Sequence, residues 1–193
     1  MQIQSPGGVP DNTPIIIGSG QYVERLGNGV PPLNAPMHLA SKACMGALVD
    51  GGVKPSAIDA IATIRLFSDS PGAWKSEFGG STNPPESIAR RIGASPSKRI
   101  YSNVGGNEPL QLLLELMQAI AGGEIKSALL TGAEAIANQR YAVRHGIVLD
   151  WQEDIEASLD DRTPIDRLVS IEEIHAGFNL PVRFYGAIEM LQA

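Results

Sequence analysis

The sequence predicts an α/β fold with a mainly parallel sheet flanked by helices. Short apolar segments of strand length alternate, up to about residue 131, with longer segments whose apolar residues recur at helical spacing. Glycines or glycine pairs follow most of the predicted helices, which is typical of helix ends and turns. Strands that alternate with helices of this length build βαβ units, in which helices cover the faces of a parallel sheet.

Four short segments are predicted to be strands: 13–18, 60–66, 99–104 and 126–131. The first, third and fourth are expected to be central strands, and the first is expected to be buried. The second has a spacing that also fits a helix. A Pro/Gly-rich tail at 1–12 precedes them and is expected to be flexible.

Three helices are predicted at 36–50, between Asn83 and Gly93, and between Asn107 and Gly122. A proline opens the first, and asparagines are the expected caps of the other two. The third helix is expected to bury one apolar stripe, formed by Leu110, Leu113, Leu114, Met117, Ile120 and Ala121. From about Arg140 onward the pattern changes to mixed helix and loop without a clear strand.

Composition and charge limit the class of protein. The chain has 193 residues and a single cysteine, so an internal disulfide framework is excluded and a cytoplasmic location is expected. Neither a secretory leader nor an apolar run of about 18 residues is evident, so no membrane span is expected. The net charge is −6, and nine acidic residues with two arginines between 147 and 175 give −7. No nucleic-acid-binding face is predicted, and the acidic block is a solvated surface or a surface for a basic partner.

Two glycine-containing segments are candidates for ligand binding. Gly18-Ser-Gly-Gln matches only the first two glycines of the dinucleotide fingerprint and no helix follows it, which disfavours nucleotide binding. At Gly105-Gly106 a predicted strand turns into a helix, where close backbone approach and free N–H groups suit an oxyanion or a thiolate. The alternative is an ordinary turn that reverses the chain.

Cys44 is the only thiol and therefore a candidate nucleophile. However, it lies in the middle of the first predicted helix, between Ala40 and Leu48 on the apolar stripe. A reactive cysteine needs a helix start or a cationic neighbour, so a role in the core is favoured. The three histidines are far apart in the sequence, and no metal-ligand spacing is present.

Five segments, the second of them in two parts, resemble the N-terminal half of the thiolase superfamily in their order and spacing: Pro14-Ile-Ile-Ile-Gly-Ser-Gly-Gln, Pro36-Met-His-Leu-Ala-Ser-Lys-Ala with Ala47-Leu-Val-Asp-Gly-Gly, Asn103-Val-Gly-Gly-Asn-Glu-Pro, Ala119-Ile-Ala-Gly-Gly-Glu and Leu130-Thr-Gly-Ala-Glu-Ala. Within the superfamily, the likeness is to bacterial acetyl-CoA acetyltransferases and thiolase-like proteins. It implies a thiolase-like α/β domain at 13–139. The remainder, 140–193, loosely resembles the loop excursion of thiolases and would be incomplete.

The resemblance implies a five-layered architecture of two similar halves, usually in a homodimer, of which this chain supplies about one half. It implies an acyltransferase, or an enzyme that forms or cleaves carbon-carbon bonds, acting on coenzyme A thioesters in lipid metabolism without a tightly bound cofactor. The family's nucleophilic cysteine falls at Gly106, where this chain has no thiol. Gly106 and Asn107 are therefore the expected catalytic positions, which could stabilise an enolate or thioester oxygen. Arg140, Arg144 and Arg183 are expected to bind the phosphates of coenzyme A.

The family's second half, which brings a histidine and another cysteine, has no counterpart in this chain. Two function classes therefore remain open. The first is a thiolase-like acyl-CoA enzyme whose other parts come from a partner subunit or a longer polypeptide. The second is a non-catalytic acyl-CoA-binding or assembly subunit that has kept the fold.

Overall fold

The computed structural model describes residues 10, 12–25, 32–70, 75–162, 170–177 and 181–192. The chain divides into two compact units, with the boundary between residues 163 and 164. Apart from residues 10 and 12, the expected flexible tail at 1–12 lies outside the described residues. No helix in the described ranges is long and apolar enough to cross a membrane.

The first unit holds four helices and a four-stranded sheet. The helices are α1 (Pro36–Asp50), α2 (Pro84–Ile92), α3 (Glu108–Ala121) and α4 (Ile136–His145). The strands are β1 (Ala60–Thr63), β2 (Lys98–Tyr101), β3 (Ala128–Thr131) and β4 (Asp160–Asp161). In the second unit the described helices are α5 (Ile171–His175) and α6 (Pro181–Gln192).

The sheet is parallel throughout, with the order β3-β1-β2-β4. This confirms the predicted fold class, with helices on both faces. Ala62 of β1 pairs with Ile100 of β2 and with Leu130 of β3, so β1 is a central strand. The expectation that 126–131 is also central is wrong, because β3 is at one end of the strand order in the described sheet. The two-residue strand β4 lies in the region where no strand was predicted, and it pairs with the end of β2.

Helices α1 and α2 match their predicted bounds because their end signals are local. A proline stands in the first turn of each. The Asn83 side-chain oxygen accepts the Glu86 backbone N–H at 3.2 Å, as expected of a cap. Gly93 ends α2 in the left-handed conformation with φ 75°.

The predicted strand at 13–18 is wrong. Residues 12–25 form no strand, and Ile16 is 76% exposed. No neighbouring strand pairs with this segment in the described part of the chain; instead, the Ser19 backbone N–H donates to the Asp50 carboxylate of α1 at 2.8 Å. A Cβ atom on Gly20 would lie 2.1 Å from the Ala43 carbonyl oxygen, so the glycine allows the segment to approach the α1 backbone closely.

The buried face of α3 also differs from the prediction. The residues that pack on the sheet are Leu112, Leu116 and Ala119, which contact Ala62 and Ile100 in one apolar cluster. Leu110 and Leu114 of the predicted stripe are 63% and 51% exposed. Both sets have helical spacing, so α3 is apolar on two sides and spacing alone did not select the side that meets the sheet.

Candidate functional site

Polar side chains gather where β1, β2 and β3 end. The observed strands are shorter than the predicted ones. The polar side chains of this group lie at the last residue of an observed strand or in the segments that follow the strands. We call Arg65, Asp69, Tyr101, Ser102 and Glu134 the strand-end cluster. Ligands of parallel α/β sheets bind at the carboxyl ends of strands, so this edge is the candidate site.

Arg65 ties the ends of β1 and β2 together. Its backbone N–H donates to Ser102 Oγ at 2.8 Å, and its Nε donates to the Ser102 carbonyl at 2.8 Å. The guanidinium lies over the Tyr101 ring, 4.2 Å from the centroid, and pairs with Asp161. The guanidinium of Arg65 is therefore bound by other residues of the protein, and its role is to position the ends of β1 and β2.

Tyr101 anchors the short loop that follows β1. Its hydroxyl donates to Asp69 Oδ2 at 2.6 Å and accepts the Leu66 backbone N–H at 2.9 Å. Burial raises the pKa of Tyr101, and the neighbouring Asp69 raises it further. The hydroxyl therefore stays protonated and holds the loop.

Glu134 follows β3 and faces the same loop. Its Oε1 accepts the Phe67 backbone N–H at 2.7 Å. Burial raises the pKa of Glu134, and Asp69 adds to that effect. No Lys, Arg or His among the described residues forms an ion pair with it.

A pocket opens beside Glu134, within the first unit. Its walls come from the start of α1, the loop after β1, residues 76–81, the start of α4 and Trp151. The large apolar lining side chains are Met37, Leu66, Phe67, Ile136 and Trp151. The arrangement can hold a small apolar group next to a carboxylate.

The predicted catalytic turn contributes no wall to this pocket. Gly105 has φ 153°, and Gly106 lies in open space, since no atom would stand within 4 Å of a Cβ added there. Within the described residues, the backbone N–H groups of Gly106 and Asn107 donate no hydrogen bond. Neither Gly106 nor Asn107 lines the pocket.

The expectation that Asn107 caps α3 is wrong. Asn107 stands at the start of the helix, but its own backbone is helical, with φ −85° and ψ −18°, and its side chain makes no cap hydrogen bond. A capping side chain normally needs an extended backbone at this position. The side-chain amide donates instead to Gln111 at 3.2 Å.

The three predicted phosphate-binding arginines are divided between the two units. Arg140 and Arg144 lie one turn apart on α4, and neither lines the pocket. Arg183 belongs to the second unit, where its Nη1 donates to the Gly177 carbonyl at 2.7 Å. No three His, Cys, Asp or Glu side chains of the described residues lie together in a way that could hold a metal ion.

Cys44 lies in the core, as predicted. It is 2% exposed and belongs to the apolar cluster beneath α1 and α2, and burial raises the pKa of its thiol. A protonated, enclosed thiol is a poor nucleophile.

Replacing Cys44 with alanine is expected to reduce the free energy of unfolding by about 1 kcal/mol, because it leaves a small cavity. Chemical denaturation measures this loss. Binding of any acyl-CoA ligand should be unchanged, and loss of binding with an intact fold would overturn the core role.

Sequence reasoning did not identify the strand-end cluster as a site. Its members come from three separate strand ends, so only the register of the sheet brings them together. A usable signal was present: polar residues follow each of β1, β2 and β3 directly or within a few positions. In a parallel sheet those positions share one edge.

The comparison with solved structures decides the fold family. A crystal structure of a monomeric SCP2-thiolase like protein type 1 from Mycobacterium smegmatis matches with a TM-score of 0.50 and 32% sequence identity. The match covers 63% of this chain and 23% of that one. The chain has a thiolase-like fold. No model of a protein family and no curated protein matches the sequence.

The thiolase-like match has two consequences for the expectations above. The resemblance inferred from five segments is confirmed at the level of fold. Since the matching protein is described as monomeric, it does not support the expected homodimer. The chain spans about a quarter of that protein's length, so activity, substrate and partners are matters of proposal.

Proposed function

We propose that this thiolase-like chain binds acyl-CoA thioesters and acts in acyl transfer, or in making or breaking carbon-carbon bonds, without a covalent intermediate on its own residues. The observation that carries the proposal is the thiolase-like fold together with the backbone N–H groups of Gly106 and Asn107, which stand where α3 starts and donate no hydrogen bond to a described residue. Such N–H groups stabilise an enolate or thioester oxygen. The wider proposal places the protein in lipid metabolism in the cytoplasm.

The lack of an accessible thiol restricts the reactions that we propose for this chain. Gly106 occupies the expected nucleophile position and has no side chain, while Cys44 is enclosed in the core. An acyl group therefore has no accessible thiol on the described residues of this chain to which it could be transferred. Stabilisation of a developing negative charge is the role left for the turn.

A non-catalytic acyl-CoA-binding or assembly subunit is the second candidate. The observation that favours it is the same lack of an accessible thiol. Turnover of acetoacetyl-CoA, followed by absorbance, separates the candidates: binding with turnover supports the enzyme, and binding without turnover supports the subunit.

The proposed partner is a subunit or chain segment that supplies the second half of the thiolase-like architecture, in a homodimer or a mixed complex. The support is the uncovered apolar side of α3, where Leu110 and Leu114 are more than half exposed. An apolar helix face of this kind is stabilised when another surface covers it.

Charge reversal of the three arginines tests coenzyme A binding. Arg140→Glu, Arg144→Glu and Arg183→Glu together are expected to abolish butyryl-CoA binding in calorimetry at low salt, because the phosphates would lose their cations. Lys54→Glu with Lys126→Glu is the control, since these exposed side chains make no hydrogen bond or ion pair with a described residue. Equal affinity of the triple variant and the parent would remove the arginines from the proposal.

A further inference from the structure

The pocket beside Glu134 has walls suited to an uncharged group. Met37, Leu66 and Trp151 are buried side chains that present apolar surface to it. The Trp151 indole N–H is already used, since it donates to the Leu33 carbonyl at 3.3 Å. These three walls therefore provide no donor to an entering ligand.

Two carboxylates line the pocket, and they differ in their partners. Glu153 receives both guanidinium nitrogens of Arg91, at 2.7 and 2.8 Å, and the Ser87 hydroxyl at 2.9 Å, so its charge is balanced. Among the described residues, Glu134 receives only the Phe67 backbone N–H, on Oε1. No lysine, arginine or histidine is among the described residues that line the pocket.

Among the described lining residues, Glu134 is therefore a carboxylate without a cationic partner, and it lies next to apolar walls. A second carboxylate entering the pocket would lie near Glu134 without a cation to pair with. Glu134 is itself exposed to solvent, so the repulsion is moderate, but juxtaposed like charges still oppose binding. A methyl group at the same place would meet apolar side chains instead.

We infer that this pocket holds the acyl group of the thioester and selects uncharged acyl groups over those that end in a carboxylate. Glu134 is the specificity-determining residue. This inference rests on the proposed function, because it presumes that a CoA thioester binds.

Butyryl-CoA and succinyl-CoA provide a matched test, since their acyl groups have the same length and differ in a terminal methyl or carboxylate. Calorimetry on the whole chain at neutral pH is expected to show butyryl-CoA binding tighter by roughly fivefold. Glu134→Gln keeps the shape and the acceptor for the Phe67 N–H but removes the charge, so it should bring the two affinities close together. Glu124→Gln is the control with an equal change of charge, at an exposed residue that pairs with Lys98 and does not line the pocket.

The outcomes separate the inference from the function on which it rests. If the parent protein binds neither thioester, the proposed function fails and the inference fails with it. If the parent binds both equally, or if Glu134→Gln leaves the ratio of their affinities unchanged, CoA binding stands and the specificity role of Glu134 is overturned.

Fluorescence of Trp151 in a Trp74→Phe background should change when butyryl-CoA binds, and a constant signal would place the acyl group outside the pocket.

Discussion

Replacing Leu112 with alanine is expected to lower the free energy of unfolding by about 3 kcal/mol, which is typical of a leucine deleted from a packed core. Leu112 is fully buried between α3 and the sheet, in one cluster with Ala62 and Ile100. Chemical denaturation of the whole chain measures the change.

Leu114→Ala is the matched control for this prediction. It removes the same atoms from the same helix, two positions further along, where the side chain is 51% exposed. The expected loss is below about 0.5 kcal/mol. If Leu114→Ala costs more than Leu112→Ala, α3 meets the sheet through the stripe predicted from the sequence, and the orientation described above is wrong.

Gly106→Cys is expected to convert a protein that is not labelled by a thiol-reactive acyl-CoA analogue into one that is. The turn has room for the side chain, since no atom of a described residue other than the two chain neighbours lies within 4 Å of the Cβ position. A thiol at the start of α3 would have a lowered pKa because the positive end of the helix favours the thiolate. Intact mass spectrometry measures the added group.

Gly186→Cys is the control for this experiment, because it places a thiol within α6, where there is also open space. Labelling is expected at position 106 and not at 186, and Cys44 should remain unmodified in the parent. Equal labelling of the two variants would show general thiol exposure. Labelling of neither, while CoA still binds, would mean that the turn at Gly106 only reverses the chain.

Helix bounds could be predicted from the sequence where local signals decide them. Pro36 begins α1 and Gly51 follows it, while Asn83 and Gly93 flank α2. These residues act through their own backbone or through neighbours within one turn of the helix. The parallel character of the sheet followed from the alternation of elements.

Non-local contacts decided the features that the sequence did not predict. The isoleucines at 15–17 have the composition of a buried strand, but a strand needs a paired neighbour, and the described residues provide none. In α3 two apolar stripes compete, and tertiary packing selects the one through Leu112. The site around Glu134 depends on the β1–β3 register, which no single segment encodes.

A crystal structure of the protein grown with butyryl-CoA tests the central claim most directly. We expect density for the thioester at the carboxyl ends of β1, β2 and β3, with its carbonyl oxygen at the Gly106 and Asn107 N–H groups and the acyl group between Glu134 and Trp151. Density for the acyl group at any other place on the chain, or an empty strand edge at a ligand concentration that saturates binding in solution, would contradict it.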